Sequence, residues 1–248
     1  MRRRFFVDKF EANSATLDGE AAEHLGRVLR AEHGQLYELS DGNCAWLARV
    51  ESVALTKRGS GRILFTLVEP LPAREPSLRI ELLISIVKFD RFEWCLEKAT
   101  ELGVAEIIPL AAPRTDKPLL AAAEKRRVRW EKILLESAQQ SRRLRPPVIR
   151  TAVRPEEAFA RSTANLKLML SEDREAPSLR SSLQGQNQLV AARTSAALAI
   201  GPEGGWTDTE LSAARAAGFA EVSLGENILR TETAVLASLA VLRFALES

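Results

Sequence analysis

Two rhythms of apolar and polar positions run along the chain, and one gives way to the other near residue 77. Before that point the apolar residues come in short runs that read as strands over 35–40, 44–53 and 62–68. Asp41-Gly42-Asn43 between the first two is a hairpin turn signal. One stretch, 20–30, spaces Ala21, Leu25, Val28 and Leu29 at the three- and four-residue intervals of a helical face. Short strands around one helix suggest a small β-barrel over residues 1–70. The run Pro70-Leu71-Pro72-Ala73-Arg74-Glu75-Pro76 reads as a linker, taken as 71–77, because proline lacks a backbone donor and resists helix and central strand alike.

From residue 78 strands alternate with helices. A nearly continuous apolar strand (78–87) precedes Asp90-Arg91-Phe92-Glu93, a capping-box-like helix start, and Leu102-Gly103 reads as that helix's stop. A strand over 104–109, a long helix over 121–141, a strand over 148–152 and a helix opened by Pro155 follow. The pattern then gives strands at 166–170 and 196–200, and a helix capped by Thr207 and Glu210 that ends at Gly218. Last come a strand over 222–224 and a helix over 231–246 with Thr231 as its N-cap. This alternation predicts an α/β domain over 78–248, with a mostly parallel sheet covered on both faces. No internal repeat is visible.

Composition narrows the class. With 46% hydrophobic and 27% charged residues, the 248-residue chain can bury a core, which excludes disordered and collagen-like proteins. Its two cysteines, Cys44 and Cys95, are far apart and lack metal-ligand spacing, so neither a disulfide framework nor a structural zinc is expected. Met1-Arg2-Arg3-Arg4-Phe5-Phe6-Val7-Asp8 reaches an acid too early for a signal peptide, and no apolar run approaches the roughly 18 residues of a membrane span. A cytoplasmic setting fits. The net charge of +2 hides an uneven distribution: residues 114–150 carry 11 basic side chains against 4 acidic ones. Positive charge so concentrated is the footprint of a nucleic-acid binder, although for an isolated basic run a solvated helix face is the better reading.

Two glycine turns, each following an apolar strand, carry the candidate chemistry: Ile200-Gly201-Pro202-Glu203-Gly204-Gly205 and Leu224-Gly225-Glu226-Asn227-Ile228-Leu229-Arg230. In open α/β sheets ligands bind at the carboxyl ends of strands, and glycine lets a ligand approach the backbone closely. No lysine follows Gly205, so a P-loop is excluded. The domain's first strand leads into Lys88-Phe89-Asp90 without a glycine, so a dinucleotide-binding fingerprint is excluded as well. Both histidines, His24 and His33, lie in the first 70 residues, leaving the α/β domain without an imidazole base. Chemistry there must rest on carboxylates, arginines, hydroxyls and alignment, and methyl transfer from a sulfonium donor suits such a site. Arg230 is notable because a cation just ahead of a helix N-terminus opposes the helix dipole.

Together these segments closely resemble the ribosomal RNA small subunit methyltransferase E family. The two glycine turns and Thr231-Glu232-Thr233-Ala234 carry the resemblance near the C-terminus. Earlier blocks are His24-Leu25-Gly26-Arg27-Val28-Leu29-Arg30, Glu97-Lys98-Ala99-Thr100-Glu101-Leu102-Gly103-Val104 and Glu136-Ser137-Ala138-Gln139-Gln140-Ser141-Arg142. The resemblance implies a PUA-like β-barrel followed by a SPOUT-type domain whose C-terminal chain threads a trefoil knot. It implies S-adenosyl-L-methionine as methyl donor and N3 of a uridine near the 3′ end of 16S rRNA, in the 30S subunit, as acceptor. It further implies a homodimer through the C-terminal domain, with neither metal nor membrane involved.

The cofactor site implied comprises Leu170, Ile200, Gly201, Pro202, Glu203, Gly204, Gly205, Leu224, Gly225, Ile228, Leu229, Arg230, Thr233 and Ala234. Arg230 would stabilise the uracil anion, and Glu203 would organise the pocket or accept the proton. RNA contacts would come from Arg2, Arg3, Arg4, Arg27, Arg30, Arg114, Arg142, Arg143 and Arg145. Asn227, Arg142 and Trp206 depart from the family's usual residues. A ribose 2′-O-methyltransferase of the same class and a non-catalytic assembly factor are the rival readings. The final helix agrees with dimerisation on its own terms, since Val235, Leu236, Leu239, Val241, Leu242, Phe244, Ala245 and Leu246 cover more than one of its faces.

Overall fold

The computed structural model describes residues 3–55, 61–73, 76–173, 175–184 and 194–247. They pack into two compact units, Met1–Glu75 with Ala138–Pro146, and Pro76–Ser137 with Pro147–Ser248.

The first unit is one five-stranded sheet in the order β1-β3-β4-β5-β2. Its strands are β1 (Arg4–Phe6), β2 (Ser14–Asp18), β3 (Leu36–Ser40), β4 (Ala45–Leu55) and β5 (Gly61–Leu71). β1 runs parallel to β3, and the remaining pairs are antiparallel. Phe5, Leu17, Leu25, Leu39, Val50, Ile63 and Phe65 fill its core. The Asp41 carboxylate accepts from the amides of Asn43 and Cys44, each at 2.9 Å, and so closes the β3–β4 turn.

Three expectations for this region need correction. The helical stretch is α1 (Gly19–Glu23) followed by a π-helical turn (His24–Val28), which widens the repeat and leaves Val28 65% exposed rather than buried. Pro70 and Leu71 belong to β5 opposite Trp46 and Ala45, so the strand runs into the expected linker; proline is tolerated near a strand's end. Arg4 is not available as an exposed RNA contact. Its guanidinium is buried on Glu38, donating from Nη2 at 2.9 Å and from Nε at 3.2 Å, and this pairing lets a charged residue sit inside a short strand.

The second unit is a six-stranded, wholly parallel sheet in the order β11-β9-β10-β6-β7-β8. The strands are β6 (Leu78–Ser85), β7 (Glu106–Leu110), β8 (Val148–Ile149), β9 (Leu166–Leu170), β10 (Thr194–Ile200) and β11 (Ala220–Val222). Alternate residues of the central strands serve opposite faces. Leu82, Ile84, Leu198 and Ile200 pack under α2 (Phe89–Glu101), α3 (Lys117–Gln140) and α7 (Thr231–Leu246), through Phe92, Trp130, Leu134, Val235 and Leu239. Leu83, Ala197 and Ala199 face the other way, toward Phe159 of α4 (Pro155–Arg161) and Ala214 of α6 (Asp208–Ala216). Alanines on that face let the bulky Phe159 close the layer. A short helix not expected from the pattern, α5 (Leu179–Leu183), is capped by Ser178.

Helix starts divide the expectations. At α6 the capping box forms as expected, with Thr207 accepting from the Glu210 amide and Glu210 from the Thr207 amide. At α2 no box forms, because the helix begins two residues earlier and Lys88 occupies the N-cap without a side-chain bond. At α7 the N-cap is Arg230, not Thr231. Thr231 lies inside the first turn and is buried, so the helix end has no side-chain cap at all.

Candidate functional site

A cavity of about 1120 Å³ opens beyond the carboxyl ends of β9, β10 and β11. These three strands are neighbours at one side of the sheet, which brings their connecting loops together at the place where open α/β sheets take ligands. Of the residues expected to hold a cofactor, Leu170, Ile200 to Gly205, Leu224, Gly225, Ile228, Leu229, Arg230 and Ala234 all line it. Thr233 does not, and its side chain is exposed on α7. The cavity also takes in Ser171, Glu172, Asp173 and Ser178 from the segment after β9, which the motifs did not indicate. That segment is anchored by backbone bonds from Ser171 to Val222 (2.9 Å) and from Ser223 to Pro177 (2.8 Å).

The loop after β10 is built tightly. Arg114 Nη1 donates to the carbonyl oxygens of Gly204 (2.8 Å) and Trp206 (3.0 Å). Trp206 folds back over Gly201, where an added Cβ would lie 3.0 Å from the indole, and its Nε1 donates to the Leu170 carbonyl at 2.8 Å. Gly205 has φ +71°, a conformation side chains rarely adopt. Glu203 is half exposed, and Arg91 of α2 donates to its carboxylate. The loop after β11 is open by contrast. Gly225 has φ +120° with nothing near an added Cβ, Ile228 is 75% exposed, and Arg230 makes no ion pair with any described residue.

Sequence reasoning placed Arg114 among RNA contacts and passed over Arg91 as part of a helix start. Neither carries a local signal, because both act on a loop about ninety or more residues away in the chain. Behind α7, Cys95 is buried, and burial together with the nearby Glu232 charge pushes its thiol up to about 12, so it stays protonated.

The basic residues divide between the units. Arg3, Arg27, Arg30, Arg142, Arg143 and Arg145 belong to the first unit and Arg114 to the second. Arg2 lies outside the described residues. Arg27 pairs with Glu23, and Arg142 Nη1 stands 3.5 Å from Glu38. On α3, Arg126 and Arg129 both pair with Glu93 of α2, and Arg127 pairs with Glu131, so much of the positive charge of 114–150 is balanced locally. Among the described residues no group of three or more histidine, cysteine or acidic side chains is arranged for a metal, and no helix is long and apolar enough to cross a membrane.

The cavity fits a cofactor of nucleoside size. Its volume exceeds that of many small-molecule pockets, its lining mixes apolar side chains with backbone and carboxylates, and glycine leaves the backbone open at Gly225. Fold and cavity match a class, since a family model for an RNA methyltransferase domain matches residues 74–243. The ribosomal RNA small subunit methyltransferase E of Synechocystis sp. is 35% identical over 95% of this chain and 74% of its own length, and that of Bacillus subtilis is 29% identical over 99% and 97%. A crystal structure of that enzyme from Neisseria gonorrhoeae, bound to S-adenosyl methionine, aligns with 98% of both chains at 31% identity and a TM-score of 0.81. The chain belongs to the ribosomal RNA small subunit methyltransferase E family.

Proposed function

We propose that this protein methylates N3 of a uridine near the 3′ end of 16S rRNA in the small ribosomal subunit, with S-adenosylmethionine as donor. The observation that carries the reading is the convergence of two glycine loops and Arg230 on one cavity, in a chain similar to a relative bound to that cofactor. When bound, the cofactor would supply a sulfonium-activated methyl group for N3. Ile200 to Gly205, Leu224, Gly225, Ile228, Leu229 and Ala234, with Leu170, would hold it.

The protein's own part is to make N3 a nucleophile and to place it. Loss of the N3 proton puts negative charge on O2 and O4 of the uracil. Arg230 stands at the cavity without an ionic partner among the described residues, immediately before an uncapped helix. Its guanidinium and the free first-turn amides of α7 therefore form a joint pole for that anion. Glu203 organises the loop through Arg91; accepting the N3 proton would require its carboxylate to exchange Arg91 for the base.

The same reading assigns the first unit to a PUA-like barrel that docks on rRNA, with linker and knotted SPOUT domain following, in a cytoplasmic enzyme. Arg3, Arg27, Arg30, Arg142, Arg143 and Arg145 would position the RNA by phosphate contacts that weaken with salt. The chain acts as a homodimer through α7, whose exposed Leu236 (39%), Val241 (37%) and Phe244 (92%) support a second copy on that face.

The test is transfer of labelled methyl from S-adenosylmethionine to unmodified 30S subunits and, separately, to naked 16S rRNA, with the product nucleoside identified by mass spectrometry. 3-Methyluridine is expected. A ribose-methylated product would overturn the acceptor, and no transfer to either RNA would overturn the activity.

A further inference from the structure

Arg91 does not line the cavity; it stands behind it, in the first turn of α2. Its Nη1 donates to Glu203 Oε1, and its Nε lies 3.9 Å from Glu232 Oε1. The two carboxylates come from different walls. Glu203 belongs to the loop after β10, and Glu232 follows Arg230 and Thr231, which line the cavity at the start of α7. All three side chains are at least partly shielded, with 29% of Arg91 and 21% of Glu232 exposed.

A guanidinium presents donors along two edges of a plane and can face two carboxylates at once, which an ammonium on a flexible stem cannot do in fixed geometry. One positive group between two negative ones leaves an excess negative charge. Consistent with that, Glu232 Oε2 is buried with no hydrogen-bond partner among the described residues. Without Arg91 both carboxylates would face the α2 terminus unpaired, and their repulsion would act directly between the two walls. An exposed ion pair joining nothing contributes little, but this one ties segments that must hold one ligand between them.

We propose that Arg91 is a positioning residue that holds the Glu203 loop and the start of α7 in register for the cofactor. The proposal rests on the methyltransferase reading above. It is tested on the full chain by calorimetric titration with S-adenosylmethionine, by thermal midpoints, and by kcat and KM on 30S subunits. Arg91→Ala should raise the cofactor Kd about tenfold, with kcat at saturating cofactor within about threefold of the parent. Arg91→Lys should recover only part of the affinity. Arg91→Ala combined with Glu232→Gln should be no weaker than Arg91→Ala alone, because one interaction is being removed twice.

Arg91→Ala binding within twofold of the parent would overturn the proposal, as would independent, multiplying effects of Arg91→Ala and Glu232→Gln. If Arg91→Ala does not fold, Arg91→Lys at an unchanged thermal midpoint decides, and parent-like affinity there overturns the proposal too. A parent protein that does not bind S-adenosylmethionine would instead overturn the methyltransferase reading, and the proposal with it.

Discussion

The two loops that wall the cavity are built on opposite plans. The loop after β10 is held by Arg114 on its carbonyl oxygens, by Arg91 on Glu203, by Trp206 folded over Gly201 and by the capping box of α6. The loop after β11 has none of these. Its Ile228 is exposed, its glycine has open space around it, and the helix it leads into starts without a side-chain cap. On the proposed reading, one wall gives shape and the other meets the reaction. A wall that shapes a pocket must be rigid before the ligand arrives, whereas a wall that meets developing charge needs donors not already satisfied by the protein.

Four measurements can break or sharpen this contrast. Arg230→Ala, in the open loop, should reduce single-turnover methyl transfer by about 10²–10³-fold while cofactor affinity stays within a few fold. Turnover within tenfold of the parent would remove the reactive role from that wall. The glycines separate the plans next. Gly201→Ala pushes a methyl group against the indole and should cost about 1–3 kcal/mol by chemical denaturation, partly recovered by Trp206→Leu. Gly225→Ala meets no neighbour and should cost about 1–2 kcal/mol through backbone strain alone, with no recovery from the same second change.

Thr207→Ala removes one half of the capping box in the braced wall and should cost about 1 kcal/mol, read as a fall of roughly 2–4 °C in Tm. An equal fall from Thr231→Val, at a helix start with no side-chain cap, would erase the distinction between the two starts.

An effect confined to alkaline pH concerns Cys95, beneath the start of α7. Its raised thiol value means the folded protein keeps a proton that the unfolded chain loses above the ordinary thiol value of 9.0. Stability should therefore decline as pH rises from there toward about 12. Iodoacetamide at pH 8 should leave Cys95 unmodified until the protein unfolds. Rapid alkylation of the native protein would show that the helix interface under the open loop is itself loose.

Much of this was legible along the chain because the signals were local. The apolar run at 78–87 and the alanine-rich β10 read as buried parallel strands, and Thr207 with Glu210 read as a cap, because each depends on residues within a turn or a pleat. The glycine loops were legible for the same reason. What was not legible depends on partners distant in sequence. Arg4 reads as an RNA contact and is an internal ion pair, because Glu38 arrives on the neighbouring strand. Val28 reads as a core residue and is exposed, because a π-helical turn shifts the face. Arg126 and Arg129 read as part of a basic surface and share Glu93 of another helix.

By itself, then, the sequence determined most elements of the α/β part and their order, the two-part character of the chain and the glycine loops that mark the cavity. Hydrophobic period, backbone freedom and a cap such as that of Thr207 and Glu210 are properties of neighbouring residues, which is why they can be read along the chain. Only the tertiary structure decided that β9, β10 and β11 lie side by side, that Arg91 and Arg114 brace one loop, and that Arg230 meets the cavity without an ionic partner among the described residues. A charge is assigned to a surface, a loop or a site by what folding brings within a few ångströms of it, and that pairing is written nowhere in the local pattern.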